Sequence, residues 1–310
     1  MEGRAFVVDD VVGKGKGALA ARRLSRGDLV LACDPLVAVL EDPDFVCDRC
    51  FREADVAGPP LRRRCVGCRA RFCSERCAEE GKTRHGRECA ARGKAEERGD
   101  EEEEERDDVL AVVAVETAPD EERKEFDARL CWMPCEEAGR AEKVARRASE
   151  ALGREVTAKR AEEIGGKMAS NSFGLDVPMA EGEFNGDGEP DVNYLGRAIY
   201  VDASFFNHTC EAPNVARVRL GRRMYFLATR NVEVGEELCI TYINSARHVD
   251  KNERCALLFE LYGFHCTCKV CREDLGPQCE LCRRCGCNSF LDQLCCVCDV
   301  EKIASLYLQL

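Results

Sequence analysis

Eight residues between positions 47 and 89 have the types and spacing to hold metal. They sit in CDRC, CVGC, CSERC and HGREC: Cys47, Cys50, Cys65, Cys68, Cys73, Cys77, His85 and Cys89. Thiolate sulfur and imidazole nitrogen are the ligands of structural zinc, which takes four in a tetrahedron, so eight make two sites. A two-residue spacer lets both sulfurs of a knuckle reach one ion. The three-residue spacers of 73/77 and 85/89 fit one helical turn, where i and i+4 share a face. The short gap from Cys68 to Cys73 hinders all four early cysteines from sharing one ion. The spacing therefore predicts interleaving, with Cys47, Cys50, Cys73 and Cys77 on one zinc and Cys65, Cys68, His85 and Cys89 on the other. Sites fully ligated by protein are structural, with no open position for hydrolysis.

Further along, NHTCEAPN (207–214) places Asn207, His208 and Cys210 in one short stretch. By themselves Asn, Thr and Pro are ordinary turn residues. HCTCKVC then supplies Cys266, Cys268 and Cys271, three thiolates short of a tetrahedron, and Cys210 is the candidate fourth. A last cluster holds Cys279, Cys282, Cys285, Cys287, Cys295, Cys296 and Cys298. Its pairs Cys282/Cys285 and Cys295/Cys298 fit a zinc ribbon and so a fourth zinc, with the choice of ligands open. Cys131 and Cys135, at i and i+4, read as ordinary helix or core cysteines, and Trp132 as a packing residue. GKGKG (13–17) reads either as a flexible surface loop or as a loop whose backbone comes close to a ligand, with Lys14 and Lys16 meeting its carboxylate. Tyr242, Tyr262 and Phe264, taken in isolation, read as core aromatics.

The chain has 310 residues, with 23 cysteines against 4 histidines. Its N-terminus shows no apolar stretch of the signal-peptide kind, and no apolar run approaches the roughly 18–20 residues of a membrane span. Metal thiolates in a reducing compartment are the better reading of so many cysteines than a disulfide framework. The net charge of −12 is concentrated in AEERGDEEEEERDD (95–108), where ten acids face two bases and contribute −8. That run has almost no apolar residues and reads as a solvated, disordered linker. From 47 to 92 twelve bases face seven acids. Seven thiolates and two Zn²⁺ would alter that sum by −3, leaving a mildly basic patch that makes no case for a nucleic-acid surface.

Several elements must position these groups. The N-terminal segment alternates apolar runs with glycine turns, which predicts short strands. Residues 109–168 carry apolar positions at helical spacing. After Asn171-Ser172-Phe173-Gly174 the strands return in YLGRAIYVDASFF, VARVRL, RMYFLATRNV and EELCITYI, the last ending in Tyr242. DKNERCALLFELYGF then reads as a helix leading into HCTCKVC.

The eight-ligand array, with His seventh in ligand order, resembles the MYND zinc finger. The order GKGKG, MYND array, helices, NSFG, NHTCEAPN, GEELCITY and HCTCKVC resembles the SET and MYND domain (SMYD) family of protein lysine methyltransferases over roughly residues 5–272. The resemblance implies an α+β fold: a SET-domain β-fold of short strands with a knot-like core, interrupted by a MYND finger and a helical insert and followed by a Cys-rich post-SET segment. It divides the chain into an N-terminal part of the SET domain (1–46), the finger (47–89), an acidic linker (90–108), a helical insert (109–170), the core SET region (171–245), a post-SET zinc segment (246–272) and a Cys-rich C-terminal segment (273–310). It implies contacts to S-adenosylmethionine from Lys14, Lys16, Asn171, Ser204, Asn207, His208, Tyr242 and Phe264. Tyr242 would be the catalytic-site tyrosine, Tyr262 and Phe264 would cover the cofactor and a lysine channel, and Cys210 would join Cys266, Cys268 and Cys271 on a third zinc. It also implies a histone or other protein lysine as substrate, a finger able to take a proline-rich peptide, no membrane partner, and a place in the nucleus, the cytoplasm or both.

The implied chemistry suits these residue types. A lysine amine must be neutral to attack a sulfonium methyl. From an unperturbed pKa of about 10.4, neutralising it at pH 7 costs roughly 4.6 kcal/mol. An apolar aromatic channel and a nearby positive charge both lower that pKa. Tyr242 would orient the amine without being an obligatory base, and in-line positioning would supply much of the acceleration.

Three departures from the family pattern stand out. Two residues, Glu211 and Ala212, separate Cys210 from Pro213 where the family has one; either a bulge absorbs the extra residue or Asn214 is displaced. The chain reaches Leu310 without the family's long helical C-terminal domain, so either the cleft is more open or the chain is incomplete. The Cys-rich segment 273–310 is an addition. The first two departures motivate an alternative, a weak or inactive SET-MYND adaptor that recruits partners through its finger.

Overall fold

The computed structural model describes residues 4–54, 61–96, 103–132, 139–178, 192–243, 250–274, 290–291, 293–296 and 299–309. These form two compact units: Met1–Asp34, Asp176–Asn193 and Asp202–Leu310 make the first, and Pro35–Leu175 with Tyr194–Val201 make the second. In chain order the elements begin with strands β1 (Phe6–Val11), β2 (Gly15–Ala20), β3 (Leu29–Cys33) and β4 (Val37–Leu40). A short pair β5 (Arg63–Arg64) and β6 (Arg71–Phe72) precedes helices α1 (Glu75–Glu96), α2 (Glu103–Thr117), α3 (Asp120–Arg129), α4 (Arg140–Leu152) and α5 (Ala158–Asn171). Strands β7 (Ser172–Pro178), β8 (Val192–Ile199), β9 (Asn207–His208), β10 (Val215–Leu220), β11 (Arg223–Ala228) and β12 (Cys239–Ile240) follow. Helices α6 (Lys251–Tyr262) and α7 (Lys269–Arg272), strands β13 (Phe290–Leu291) and β14 (Leu294–Cys295) and helix α8 (Val300–Ile303) complete the order.

In the first unit GKGKG is a hairpin turn rather than a loose loop. β1 and β2 pair antiparallel from Phe6↔Ala20 to Val11↔Gly15. Lys14 N–H closes the turn on Val11 O at 2.9 Å, and Gly13 and Gly15 both sit at φ 75°, a left-handed conformation that favours glycine. The sheet order β10-β11-β3 builds the main wall. Phe206 packs between Phe6 (centroids 5.4 Å apart) and Phe226 (4.9 Å). The last described turns close over this sheet, where Cys296 and Ile303 join Ala216, Val218 and Leu227 in one apolar cluster. Cys295 is buried as well. Cys279, Cys282, Cys285, Cys287 and Cys298, with most of the expected ribbon, lie outside the described residues.

The second unit is a helical core on a small sheet. Helix α4 buries Val144, Ala145, Ala148 and Ala151, spaced to make one apolar stripe. They join Val109, Val112 and Val113 of α2, Phe126 of α3 and Ile164 and Met168 of α5, with Val37, Val39 and Ile199 of the sheet below. Thr157 caps α5 by accepting from Arg160 N–H; such caps contribute about 1 kcal/mol.

Several expectations shift here. The acidic run is helical at both ends, since α1 continues to Glu96 and α2 starts at Glu103. Part of the reason is ion pairing: Arg92 meets Glu96 at 2.9 Å, Arg147 meets Glu105 at 3.2 Å, and Arg140 and Arg197 meet Asp108 at 2.8 and 3.1 Å. Residues 97–102 lie outside the described set. The strand expected through YLGRAIYVDASFF stops at Ile199 and turns into a 3₁₀ turn at Ala203–Phe205. The strand expected to reach Tyr242 ends at Ile240. Cys131 is exposed and lies just past α3, not within a helix, and Cys135 is outside the described residues. No described helix is long and apolar enough to cross a membrane.

Phe226 is fully buried against Phe206. Phe226→Ala is expected to destabilise the first unit by about 3–5 kcal/mol through cavity formation. Guanidinium unfolding followed by circular dichroism checks this; a loss below about 1 kcal/mol would place that ring outside the core.

Candidate active site and metal sites

Three clusters bring four ligand atoms each within 4.8 Å of one another: Cys47, Cys50, Cys73 and Cys77; Cys65, Cys68, His85 and Cys89; and Cys210, Cys266, Cys268 and Cys271. A tetrahedron with Zn–S near 2.3 Å has sulfur–sulfur edges of about 3.8 Å. The sulfurs stand close to that: Cys50–Cys73 3.7 Å, Cys73–Cys77 3.6 Å, Cys68–Cys89 4.0 Å, Cys210–Cys266 3.8 Å and Cys210–Cys271 3.5 Å. The residues therefore fit zinc, in the interleaved pairing that the spacing predicts. Helix α1 explains the second cluster, because it carries His85 and Cys89 one turn apart. His85 Nε2 lies 3.3 Å from Cys65 Sγ and 3.7 Å from Cys68 Sγ. Its Nδ1 faces Asp48 at 3.6 Å, and Arg92 holds the same carboxylate at 2.5 Å.

Around NHTCEAPN the chain folds into one hydrogen-bonded block. β9 pairs parallel with β12, Asn207 against Cys239 and His208 against Ile240. Thr209 N–H donates to Ile240 O at 2.9 Å. Asn214 is buried; its side chain donates to Glu237 O at 2.8 Å and accepts from Cys239 N–H at 2.7 Å. The extra residue therefore does not displace Asn214. The bend at Glu211-Ala212-Pro213 absorbs it, with Glu211 accepting from Lys269 N–H at 2.9 Å and Pro213 O accepting from Thr229 Oγ1 at 2.6 Å.

His208 is the centre of this block. Its Nδ1 accepts the Tyr242 N–H at 3.0 Å, which assigns the ring hydrogen to Nε2, 3.1 Å from Cys210 Sγ. Burial pushes its pKa down to about 4, with Lys14 and Arg254 adding to the shift. It is therefore a neutral imidazole at ordinary pH. The Tyr242 hydroxyl donates to Phe206 O at 2.9 Å, and burial raises its pKa, keeping it protonated. Cys239 is also a buried thiol, pushed up to about 12 by desolvation first and then by Glu237, so it is no nucleophile. Three aromatic rings gather here: Tyr262 lies 4.9 Å from Tyr242, and Phe264 lies 6.2 Å from Tyr242 at 90°. Tyr262 ends α6, whose C-cap Gly263 at φ 71° turns the chain so that Phe264 follows.

Known proteins match this chain to different extents. The family model described as SET domain matches residues 15–243, most of the chain. The chain belongs to the SET-domain family. It is 27% identical over 265 residues to "N-lysine methyltransferase SMYD2" of Gallus gallus, covering 84% of this chain and 58% of that protein. It is 26% identical over 275 residues to "Histone-lysine N-methyltransferase SMYD3" of Homo sapiens, covering 84% and 59%. The chain is similar to both SMYD proteins and spans less than two thirds of the length of either. A solved chain, "Crystal structure of the SET domain of LSMT bound to MeLysine and AdoHcy", matches 86% of this chain and 54% of that one at 14% identity and a TM-score of 0.42.

Within this SET-domain chain the residues expected to act together divide. Asn207, His208 and Tyr242 share one block, with Ser204 half-buried in the 3₁₀ turn just before it. Lys14 pairs with Glu237 at 2.6 Å, and Lys16 pairs at the surface with Asp10 at 2.9 Å. Burial opposes the Lys14 charge, but the Glu237 carboxylate outweighs it and holds the amine above its ordinary pKa. Asn171 belongs to the second unit, at the end of α5, where its amide donates to Cys131 O at 2.7 Å and Lys167 O at 2.9 Å. A polar cavity of about 600 Å³ opens beside Lys14, Glu237, Thr209, Glu211 and Cys268. It falls in the size range of small-molecule sites, but its lining does not include His208 or Tyr242.

Two working residues carry no signal in the sequence. Glu237 accepts from both Lys14 and the Asn207 amide (2.9 Å), tying the hairpin to the motif. Gly17 is why the approach is possible, since a Cβ there would come within 2.7 Å of Asn207 Nδ2. GEEL holds the glutamate in plain view, but nothing in its spacing names a partner more than 200 residues earlier. Asp48 likewise sits between ligands Cys47 and Cys50 yet serves His85 of the other cluster. Partners that orient a metal-bound imidazole are worth roughly 10–100-fold in affinity. Asp48→Asn is expected to weaken zinc binding at the Cys65–Cys68–His85–Cys89 cluster by that factor while leaving the Cys47–Cys50–Cys73–Cys77 cluster unchanged. Zinc content under graded chelator measures it; equal retention in the variant would assign Asp48 to Arg92 alone.

Proposed function

We propose that this chain is an S-adenosylmethionine-dependent protein-lysine N-methyltransferase with histone or other protein lysines as substrate. The observation that carries the reading is the half-buried cluster of Tyr242, Tyr262 and Phe264 against the Asn207-His208 strand. Both SMYD relatives bear names that state lysine methylation. When bound, S-adenosylmethionine supplies a sulfonium-activated methyl group. Lys14, Lys16, Asn171, Ser204, Asn207, His208, Tyr242 and Phe264 are the residues proposed to hold it.

The chain's own groups suit the task. Aromatic faces attract a cationic amine within about 6 Å of a ring centroid. Their low polarity also favours the neutral amine that must react. The protonated Tyr242 hydroxyl is a hydrogen-bond donor, not a base, and its backbone is fixed by the neutral His208. His208 and Phe206 therefore set where the phenol points, which is how a rigid scaffold converts binding into orientation.

The remaining assignments belong to the same proposal. Residues 47–89 act as a MYND finger with two structural zincs and a surface for a proline-rich peptide. Cys210, Cys266, Cys268 and Cys271 act as a post-SET zinc site, and the segment boundaries fall after residues 46, 89, 108, 170, 245 and 272. The protein works in the nucleus, the cytoplasm or both. The inserted residue that motivated an inactive adaptor leaves Asn214 hydrogen-bonded to Cys239 N–H and Glu237 O.

The test is calorimetric titration with S-adenosylmethionine and a lysate methylation assay with labelled cofactor. Micromolar cofactor binding and labelled protein bands are expected. Tyr242→Phe should lower transfer by roughly 10²-fold, the cost of an ångström-scale misplacement. No binding and no transfer by the wild-type chain would leave the adaptor alternative standing.

A further inference from the structure

Helix α6 carries the largest fully buried side chain of the described residues, and it is a cation: Arg254, at 0% exposure. A guanidinium stays charged in a protein and cannot escape burial by losing its proton. Buried charge without compensation is strongly destabilising. The compensation lies in the four-cysteine cluster, which this helical face meets: Leu258, one turn beyond Arg254, packs with Cys210, Cys266 and Cys271, and the Cys271 and Cys210 sulfurs favour the Arg254 charge.

The charges account for this placement. Four thiolates around one Zn²⁺ sum to −2, held in a cluster where Cys210 and Cys271 are both buried. Sulfur in that state accepts several donors. The Cys268 N–H reaches Cys266 Sγ at 3.5 Å, and His208 Nε2 reaches Cys210 Sγ at 3.1 Å. The guanidinium adds a full positive charge with donors in a rigid fork, which a lysine does not reproduce. Asp250 caps α6 by accepting from Asn252 and Glu253 N–H at 2.8 and 3.0 Å, so the helix that delivers the side chain is itself fixed.

We propose that Arg254 is the charge-balancing, orienting partner of the Cys210–Cys266–Cys268–Cys271 zinc site and, through α6, the residue that sets the position of Tyr262 against Tyr242. Leu258 and Tyr262 lie one and two turns further along the same helical face. They pack in the same cluster as Cys210, Cys266 and Cys271, and the Tyr262 hydroxyl reaches Tyr242 O at 3.4 Å. One side chain therefore couples the metal site's charge to the aromatic wall. It is a positioning residue, and the inference rests on the zinc reading of these four cysteines.

The test compares full-length wild type, Cys266→Ser, Arg254→Gln and Arg254→Lys for zinc content, for release under chelator, and for the thiolate-to-cobalt charge-transfer band after cobalt substitution. Cys266→Ser is expected to hold one zinc fewer than wild type; no difference would overturn the zinc reading and this proposal with it. Arg254→Gln is expected to release one zinc of the wild-type set roughly 10–100-fold faster, with the remainder unchanged. Release at the wild-type rate would overturn the proposal while leaving the zinc reading intact. Arg254→Lys keeps the charge and loses the fork, so it should retain the ion with a shifted cobalt band. If the glutamine variant does not fold, a wild-type band together with wild-type release in the lysine variant overturns the proposal.

Discussion

Two residues of parallel pairing, β9 against β12, are the constraint on which the rest of the first unit depends. So short a ladder contributes little by itself. It persists because side chains finish what the backbone begins. Asn214 satisfies the Cys239 N–H, and His208 satisfies the Tyr242 N–H. Leaving either donor buried without a partner would cost about 1–3 kcal/mol. The same bonds fix the three functional groups of the region: the Asn207 amide on one side, the Tyr242 phenol on the other, and the Cys210 sulfur two residues past the imidazole.

Charge is handled in the same economical way. Glu237 takes Lys14 and Asn207 together, and Asp48 takes Arg92 while facing His85. Arg254 is buried on the helix whose Leu258 packs against the four-cysteine cluster. Each is a buried or half-buried group with an opposite charge or donor beside it, as desolvation requires. The consequence is rigidity around the aromatic cluster. His208, Tyr242 and Cys239 all keep one protonation state near neutral pH: His208 titrates far below it, and Tyr242 and Cys239 far above.

Much of this was legible in the order of residues. Metal-ligand spacing is a local property, and the interleaved ligand sets followed from counting spacers. The helices across residues 109–168 followed from apolar periodicity. The acidic run misled because its composition signals solvation. Arginines from α1, α4 and β8 neutralise parts of that run and let helices continue into it. The strand ends at Ile199 and Ile240 were misjudged for a related reason. β-branched residues continue past both points, but the backbone bonds there go to a 3₁₀ turn and to His208 instead of a ladder.

The sequence by itself determined most element types, the grouping of three four-ligand clusters and the SET-domain family, because each of these is written in residue chemistry at fixed spacing. Only the tertiary structure decided what became of Glu211 and Ala212, which lysine met which carboxylate, and where the Arg254 charge went. Those outcomes depend on side chains that lie far apart along the chain and meet only when it folds. No periodicity or motif encodes such pairings; they are selected by the requirement that every buried donor and charge find a partner once the backbone has closed around it.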